Sequence, residues 1–508
     1  MDLRVVFLIP LLLAGATLRA QVRFDADFEA GAMGKVTAVS ENEYTVEGSF
    51  DPANPTDNLS PSANWYFWRI TGARGKKLTI HLPGYGLRGS CISRDAVNWK
   101  RMRLYESSAG KIEKEFPYDT CYIAPFIPYT YSYYRGRMRD WKQKSCVEID
   151  TIGRSAEGRP LEVLHLTGKA RRPGRLVWMH ARIHPSETPA SWLLDGLIDK
   201  LSDDSPESEC LRDSFDFYIM PFINPDGVAH GYSRCNARGV NMEINYNRSA
   251  DSTEVEIKAV KEYLSKLCKD RPLDLVINHH SQRDESASFW MHTAESTSQY
   301  YQGRQWTFAG LCCSFNPYMR SSDMQFSELK PRYIEGQIWN KFSDKTVALT
   351  IETPYTFYST GEEVTRENLA GQGRRMLEAI AEYFGVNLPP RIILELPDEP
   401  GEGWSLIQKD SLSYLGTSGW IADRIGAEVI YKYEKPLKPG RYDIWKYITG
   451  ENIHPLKGEK FSSSEYPGIH GWRKAGSVFL LSADRFEYKF RASRPGETAD
   501  AIMLIPLK

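Results

Sequence analysis

The chain has almost no surplus of charge: 64 Lys and Arg stand against 65 Asp and Glu, a formal net charge of −1. That balance removes the electrostatic reason to expect nucleic acid or an anionic membrane as partner. Cysteine is also scarce, at eight in 508 residues. Such a density excludes a scaffold built on disulfides, and no two cysteines have zinc-finger spacing. Individual disulfides stay open, and their connectivity cannot be read. There is no internal repeat and no low-complexity tract. Beyond the first twenty residues no apolar run is long enough to span a bilayer. Those first residues, MDLRVVFLIPLLLAGATLRAQ, put Arg4 ahead of an apolar run at residues 5–16 and a small residue, Ala20, behind it. The run is too short to span and fits a secretory signal peptide over residues 1–20, so a secreted or periplasmic chain is expected. No cysteine follows it to carry a lipid.

What the chain has is ordinary globular composition, 41% hydrophobic and 25% charged, with 13 Trp and 28 Tyr. It is too long for one core, and its patterning changes twice. Residues 21–140 read as short alternating strands such as NWYFWRITG and KKLTIHL, separated by turns such as DPANPTDNLSPS, which predicts an antiparallel β domain. Residues 141–388 alternate apolar strands (LEVLHLTG, GRLVWMHA, DFYIMPFIN, LDLVINHH, TVALTIET) with helical stretches (TPASWLLDGLIDKLSDD, EVEIKAVKEYLSKLCKD). That order predicts an α/β domain, a central mixed and mostly parallel sheet with helices on both faces. A Pro/Gly-rich break then leads into residues 389–508, β-like again and read as a small sandwich. Trp404, Trp420, Trp445 and Trp472 lie in this last part, as a sugar-stacking surface or as core.

Ligand sites in such sheets gather at the carboxyl ends of the strands. There the sequence reads HARIHPSE, putting His184 and Glu187 three apart just after an apolar strand. Two ligands underfill zinc, which in catalytic sites takes three protein ligands plus water. INHHSQ offers a third histidine at another strand end, and since side chains alternate, His279 and His280 must face opposite ways. VALTIETPY places Glu352 at the end of a third strand, where a carboxylate buried without a partner would cost several kcal/mol. A Gly-rich loop, NPDGVAHGYSRCNARGV, supplies Arg234. His180 reads as a strand-end histidine or as support for a ligand, and Tyr333 as a packing residue.

Together, and in this order, HPSE, NPDGVAHGYSRCNARGV, INHHSQ and LTIETPY resemble the zinc metallocarboxypeptidases of the carboxypeptidase A superfamily, the cytosolic carboxypeptidase-like branch in particular. VRFDADFEAGAMGKV and NWYFWRITG resemble the β-sandwich domain that precedes the catalytic domain there. The resemblance implies one Zn²⁺ on His184, Glu187 and His280, the last selected because Ser281 follows it. It implies Glu352 as general base and Arg234 as the group polarising the scissile carbonyl. Where the family carries an Asn and an Arg for the substrate's terminal carboxylate, this chain has Glu243 and Ile244, which cannot form a guanidinium clamp. Arg238 and Arg283 are the candidates to replace it. SYLGTSGW, KPGRYDIWKY and ADAIMLIP resemble golvesin-like sandwiches, which implies contact with polysaccharide or cell wall. The expected protein is thus an exported zinc hydrolase of peptide bonds. A peptidoglycan or glycopeptide amidase on the same site is the first alternative, and a non-catalytic binding protein on the same fold the second.

Overall fold

In the computed structural model of the chain, residues 21–53, 62–168, 174–394, 400–407, 414, 419–451, 469–481 and 485–507 are described. The signal-like stretch 1–20 lies outside them. The N-terminal part forms two five-stranded sheets. One runs Arg23–Asp25, Trp68–Thr71, Cys121–Ala124, Cys91–Ser93, Trp99–Arg101; the other runs Val36–Ser40, Glu43–Val46, Lys77–His81, Lys111–Glu115, Ser107–Ser108. Alternation builds the core between them: Trp68 and Ile70 from one sheet meet Leu78, Ile80 and Ile112 from the other in a single apolar cluster. The expected antiparallel pairing fails at one place, because Glu43–Val46 and Lys77–His81 pair in parallel. Hairpin-like spacing in a sequence does not reveal a crossover.

The central sheet has eight strands in the order Val147–Arg154, Pro160–Leu166, Phe215–Met220, Arg175–Ala181, Leu275–Gln282, Val347–Pro354, Ser288–His292, Met324–Ser327. The four strands from Phe215–Met220 to Val347–Pro354 are parallel, and the flanks include antiparallel pairs. This is the mixed sheet that the strand–helix alternation predicts. Its middle strands are apolar on both sides because helices cover both faces. Val177, Met179, Ile277 and Ile351 pack under the helices Thr188–Leu201, Gln299–Phe315 and Arg366–Tyr383. Trp178, Val276 and Ala348 pack on the opposite side with Ile257, Val260 and Ile338 of Val255–Leu267 and Ile334–Phe342.

Strands from Ile392–Leu394 to Ile502–Pro506 form sheets of four, three and two strands around a separate apolar cluster. Trp404 and Trp472 are buried, Trp420 is half-buried, and Trp445 packs near Phe315 of the preceding domain, ring centroids 6.2 Å apart. Among the described residues, which include all eight cysteines, no disulfide is formed. Among the described residues no helix is long and apolar enough to cross a membrane.

Two helices meet through glycine. A Cβ on Gly196 would lie 2.3 Å from Ala370 Cα, and one on Gly373 would lie 2.1 Å from the Leu193 carbonyl oxygen. The helix carrying Gly196 begins immediately after Glu187, so this contact also seats the turn that bears the candidate ligands. Gly196→Ala or Gly373→Ala must therefore push backbone apart. Each should cost about 1–3 kcal/mol in denaturant unfolding, whereas Gly303→Ala, with open space around it, should be neutral or stabilising.

Candidate metal centre

The parallel register places the site. His180 pairs with Asn278, which pairs with Thr350; one step further along, His280 pairs with Glu352. By alternation all five project on the side that carries Trp178, Val276 and Ala348 lower in the sheet. His279 takes the other side, fully buried, with no hydrogen-bond partner for either ring nitrogen among the described residues. Burial pushes its pKa down to about 3. His180, also buried, accepts a hydrogen bond from the Trp178 indole at 3.0 Å and is held neutral by desolvation.

After the strand Arg175–Ala181 the chain turns sharply at Arg182, whose φ of 56° is unusual for a bulky residue. Its buried guanidinium pins the turn, donating to the carbonyls of Pro185 (3.0 Å) and Tyr129 (3.1 Å) and to Ser191 Oγ (2.9 Å). The turn brings His184 Nδ1 2.9 Å from Glu187 Oε1, while His280 Nδ1 lies 2.8 Å from Glu187 Oε2. The two Nδ1 atoms are 3.1 Å apart. Donors on a tetrahedral ion with bonds of 2.0–2.1 Å are separated by about 3.3 Å, so this spacing fits zinc with little movement.

The other ring nitrogens are also engaged. Asn241 Oδ1 lies 3.2 Å from His184 Nε2, and Glu243 Oε2 lies 3.2 Å from His280 Nε2. Asn278 donates to Glu243 at 3.1 Å, and Thr350 donates to a further buried carboxylate, Glu335, at 2.6 Å. One donor atom each from His184, Glu243 and His280 also lies within 4.8 Å of the others, so Glu243 forms a second possible metal-binding set. The Glu187 set is tighter, and it leaves Glu243 as the carboxylate behind an imidazole, an arrangement that orients metal-ligating histidines elsewhere.

Burial alone would raise both carboxyls. The His184 and His280 imidazoles outweigh it at Glu187, which is held well below the ordinary range, and His280 does the same for Glu243, down to about 2. Burial would lower His280, but Glu187 and Glu243 hold it well above its ordinary value. With neutral imidazoles, two buried carboxylates leave a charge of −2, which a divalent cation cancels. Glu352 is different: desolvation dominates and lifts it to about 7, although His280 opposes the rise.

These groups open into a cavity of about 580 Å³ that His184, Glu187, Arg234, His280, Arg283 and Glu352 help to line. Tyr333 is half-buried and lines it too, so packing is not its whole role. Glu243 is buried against His280 and Asn278, not free at a substrate terminus, and Ile244 is not among the lining residues. Arg238 points away, 57% exposed and 3.8 Å from Glu254. Asn241, Asn278 and Glu335 carry no motif of their own. Only the rule that buried polar atoms find partners could have flagged them.

The mixed α/β sheet thus brings imidazole and carboxylate donors together at its carboxyl edge as a candidate metal centre. Residues 138–334 match the family model described as zinc carboxypeptidase, a span that holds His184, Glu187, Arg234, Glu243 and His280 and ends before Glu335, Thr350 and Glu352. Cytosolic carboxypeptidase 2 of Danio rerio is 27% identical over 322 residues, 55% of this chain and 44% of that protein. Cytosolic carboxypeptidase 3 of Mus musculus is 25% identical over 313 residues, 54% of this chain and 30% of that one. The chain thus spans less than half the length of these curated relatives. A metallo-carboxypeptidase from Burkholderia cenocepacia shares the fold with a TM-score of 0.64 at 24% identity, over 72% of this chain and 99% of that structure. Residues 138–334 are thus similar to the zinc carboxypeptidases.

His280→Ala should therefore abolish stoichiometric zinc in the purified protein, while His279→Ala, on the opposite face, should retain most of it. Elemental analysis decides, and the reverse order would place the centre on the wrong side of the sheet.

Proposed function

We propose that the protein hydrolyses a peptide or related amide bond in this cavity, with His184, Glu187 and His280 holding zinc. The observation that carries the proposal is the cross-strand pairing of Glu352 with His280 at the carboxyl edge of the sheet. Zinc held there supplies Lewis-acid polarisation and a more acidic bound water. Glu352 is the base: its carboxylate takes the proton of the attacking water and returns it to the leaving nitrogen. A carboxyl lifted to about 7 by desolvation suits both transfers. Arg234, half-buried in the wall, donates to the oxyanion as charge develops on the former carbonyl oxygen. Asn241 and Glu243 keep the two imidazoles oriented.

Substrate choice turns on where a terminal carboxylate would find a cation. Glu243 and Ile244 offer none. Arg283 lines the cavity and donates to Asn64 Oδ1. We assign a terminal carboxylate, where a substrate has one, to Arg283. Without a dedicated clamp, bonds inside a peptide or glycopeptide stem are equally accessible, which keeps the amidase reading in view. Export rests on residues 1–20 alone, and fractionation of the producing cells tests it.

Two measurements test this reading. Glu352→Gln should keep zinc but lose roughly 10²–10⁴-fold in kcat; near-wild-type turnover would remove Glu352 from the reaction. Matched peptides with free and amidated C-termini should differ less than about 10-fold in kcat/KM. A preference of about 100-fold for the free acid, erased by Arg283→Ala, would instead establish a terminal clamp and a strict carboxypeptidase.

A further inference from the structure

The loop that carries Arg234 is held from the N-terminal domain as well as from its own. Asp51 is buried, 4% exposed, and its carboxylate accepts three successive backbone N–H groups: Ser233 at 2.6 Å, Arg234 at 2.7 Å and Cys235 at 3.0 Å. Successive N–H groups converging on one point form a nest suited to an anion. Here the anion is a side chain from more than 180 residues earlier in the chain. The same domain grips the loop again through Ser233, whose Oγ accepts the backbone N–H of Asn64 (2.7 Å) and of Trp65 (3.0 Å).

Glycines bring the loop this close. Gly231 (φ +71°) would place a Cβ 2.5 Å from the Ala30 carbonyl oxygen, and Gly239 (φ +76°) would place one 2.8 Å from that of Pro52. Ala30 N–H also donates to the Ala229 carbonyl at 2.9 Å. On the catalytic side, Ser186 Oγ donates to the Ser233 carbonyl at 2.8 Å, and Ser186 directly precedes Glu187. The backbone on either side of the Arg234 Cα is thus fixed between the N-terminal domain and the turn that bears the candidate ligands.

We propose that Asp51 is a positioning residue for Arg234, so that the N-terminal domain completes the hydrolytic site by fixing where that guanidinium starts. The proposal rests on the role given to Arg234 above. It requires Asp51 to act through Arg234, and that distinguishes it from a residue that merely stabilises a domain contact. A guanidinium displaced by an ångström loses its oxyanion geometry while the metal ligands stay in place.

The test uses the full chain, loaded with zinc, with Asp51→Ala and the isosteric Asp51→Asn, each in wild-type and Arg234→Ala backgrounds. Three quantities are read: zinc content, amide hydrogen exchange over residues 231–239, and kcat and KM on one peptide substrate. Exchange at Ser233–Cys235 should accelerate at least about 10-fold in Asp51→Ala, with zinc content unchanged. Its kcat should fall about 10–100-fold with little change in KM, while in the Arg234→Ala background the same substitution should cost less than about 3-fold. Asp51→Asn, which keeps an acceptor and the shape, should fall between and serves if Asp51→Ala does not fold. Unchanged exchange would overturn the clamp. Equal losses in both backgrounds would make Asp51 merely structural and overturn the positioning claim. Faster exchange in a protein whose hydrolysis depends on neither Asp51 nor Arg234 would instead sink the role given to Arg234, and the positioning claim with it.

Discussion

Everything at the site depends on strict alternation along three adjacent parallel strands in register. Two rows of side chains result, His180–Asn278–Thr350 and, one step nearer the edge, His280–Glu352. A slip of one residue in the strand Leu275–Gln282 would exchange His280 for His279, and in Val347–Pro354 it would exchange Glu352 for Ile351. The apolar residues beneath prevent that slip, since Val276 and Ile277 are both fully buried but in different clusters. The geometry of the site is thus held by hydrophobic packing lower in the same strands.

Much of this was legible in advance, for identifiable reasons. Strands covered on both faces must be apolar throughout, so Leu176–Met179 and its counterparts stood out, and histidine or glutamate at their ends was conspicuous. Helix Thr188–Leu201 announced itself by composition and by Pro189 in its first turn. What could not be read was anything set by contact between distant segments. Glu243 occupies the place of a substrate clamp in the motif, yet it lies behind His280. Arg182 looked unexceptional between two motif residues, although its buried fork holds the turn together. Asp51 sits in a Pro- and Asn-rich stretch that reads as an ordinary surface turn. In the C-terminal domain, tryptophan count alone cannot tell a binding surface from a core, and here Trp404 and Trp472 are interior.

The electrostatics tie metal to folding. Glu187 and Glu243 flank the buried His280, whose imidazolium balances one of the two charges, whereas a divalent metal on a neutral imidazole would balance both. A metal that binds only the folded chain stabilises it in proportion to the logarithm of its concentration. Burial of the centre therefore makes stability a function of metal supply, and assays of packing variants need that supply held constant.

The contact between Asp51 and the Ser233–Cys235 backbone also imposes an order in time. The N-terminal strands are synthesised first, and domains generally fold as units in that direction. When the loop leaves the ribosome, the surface formed by Ala30, Asp51 and Trp65 already exists, and the loop settles onto it as onto a mould. Circular permutation that moved residues 21–128 to the far end, a cut that spares the helix Tyr131–Lys142, would keep the contacts to the loop while removing the template at the moment the loop needs it. Its effect would appear in folding yield.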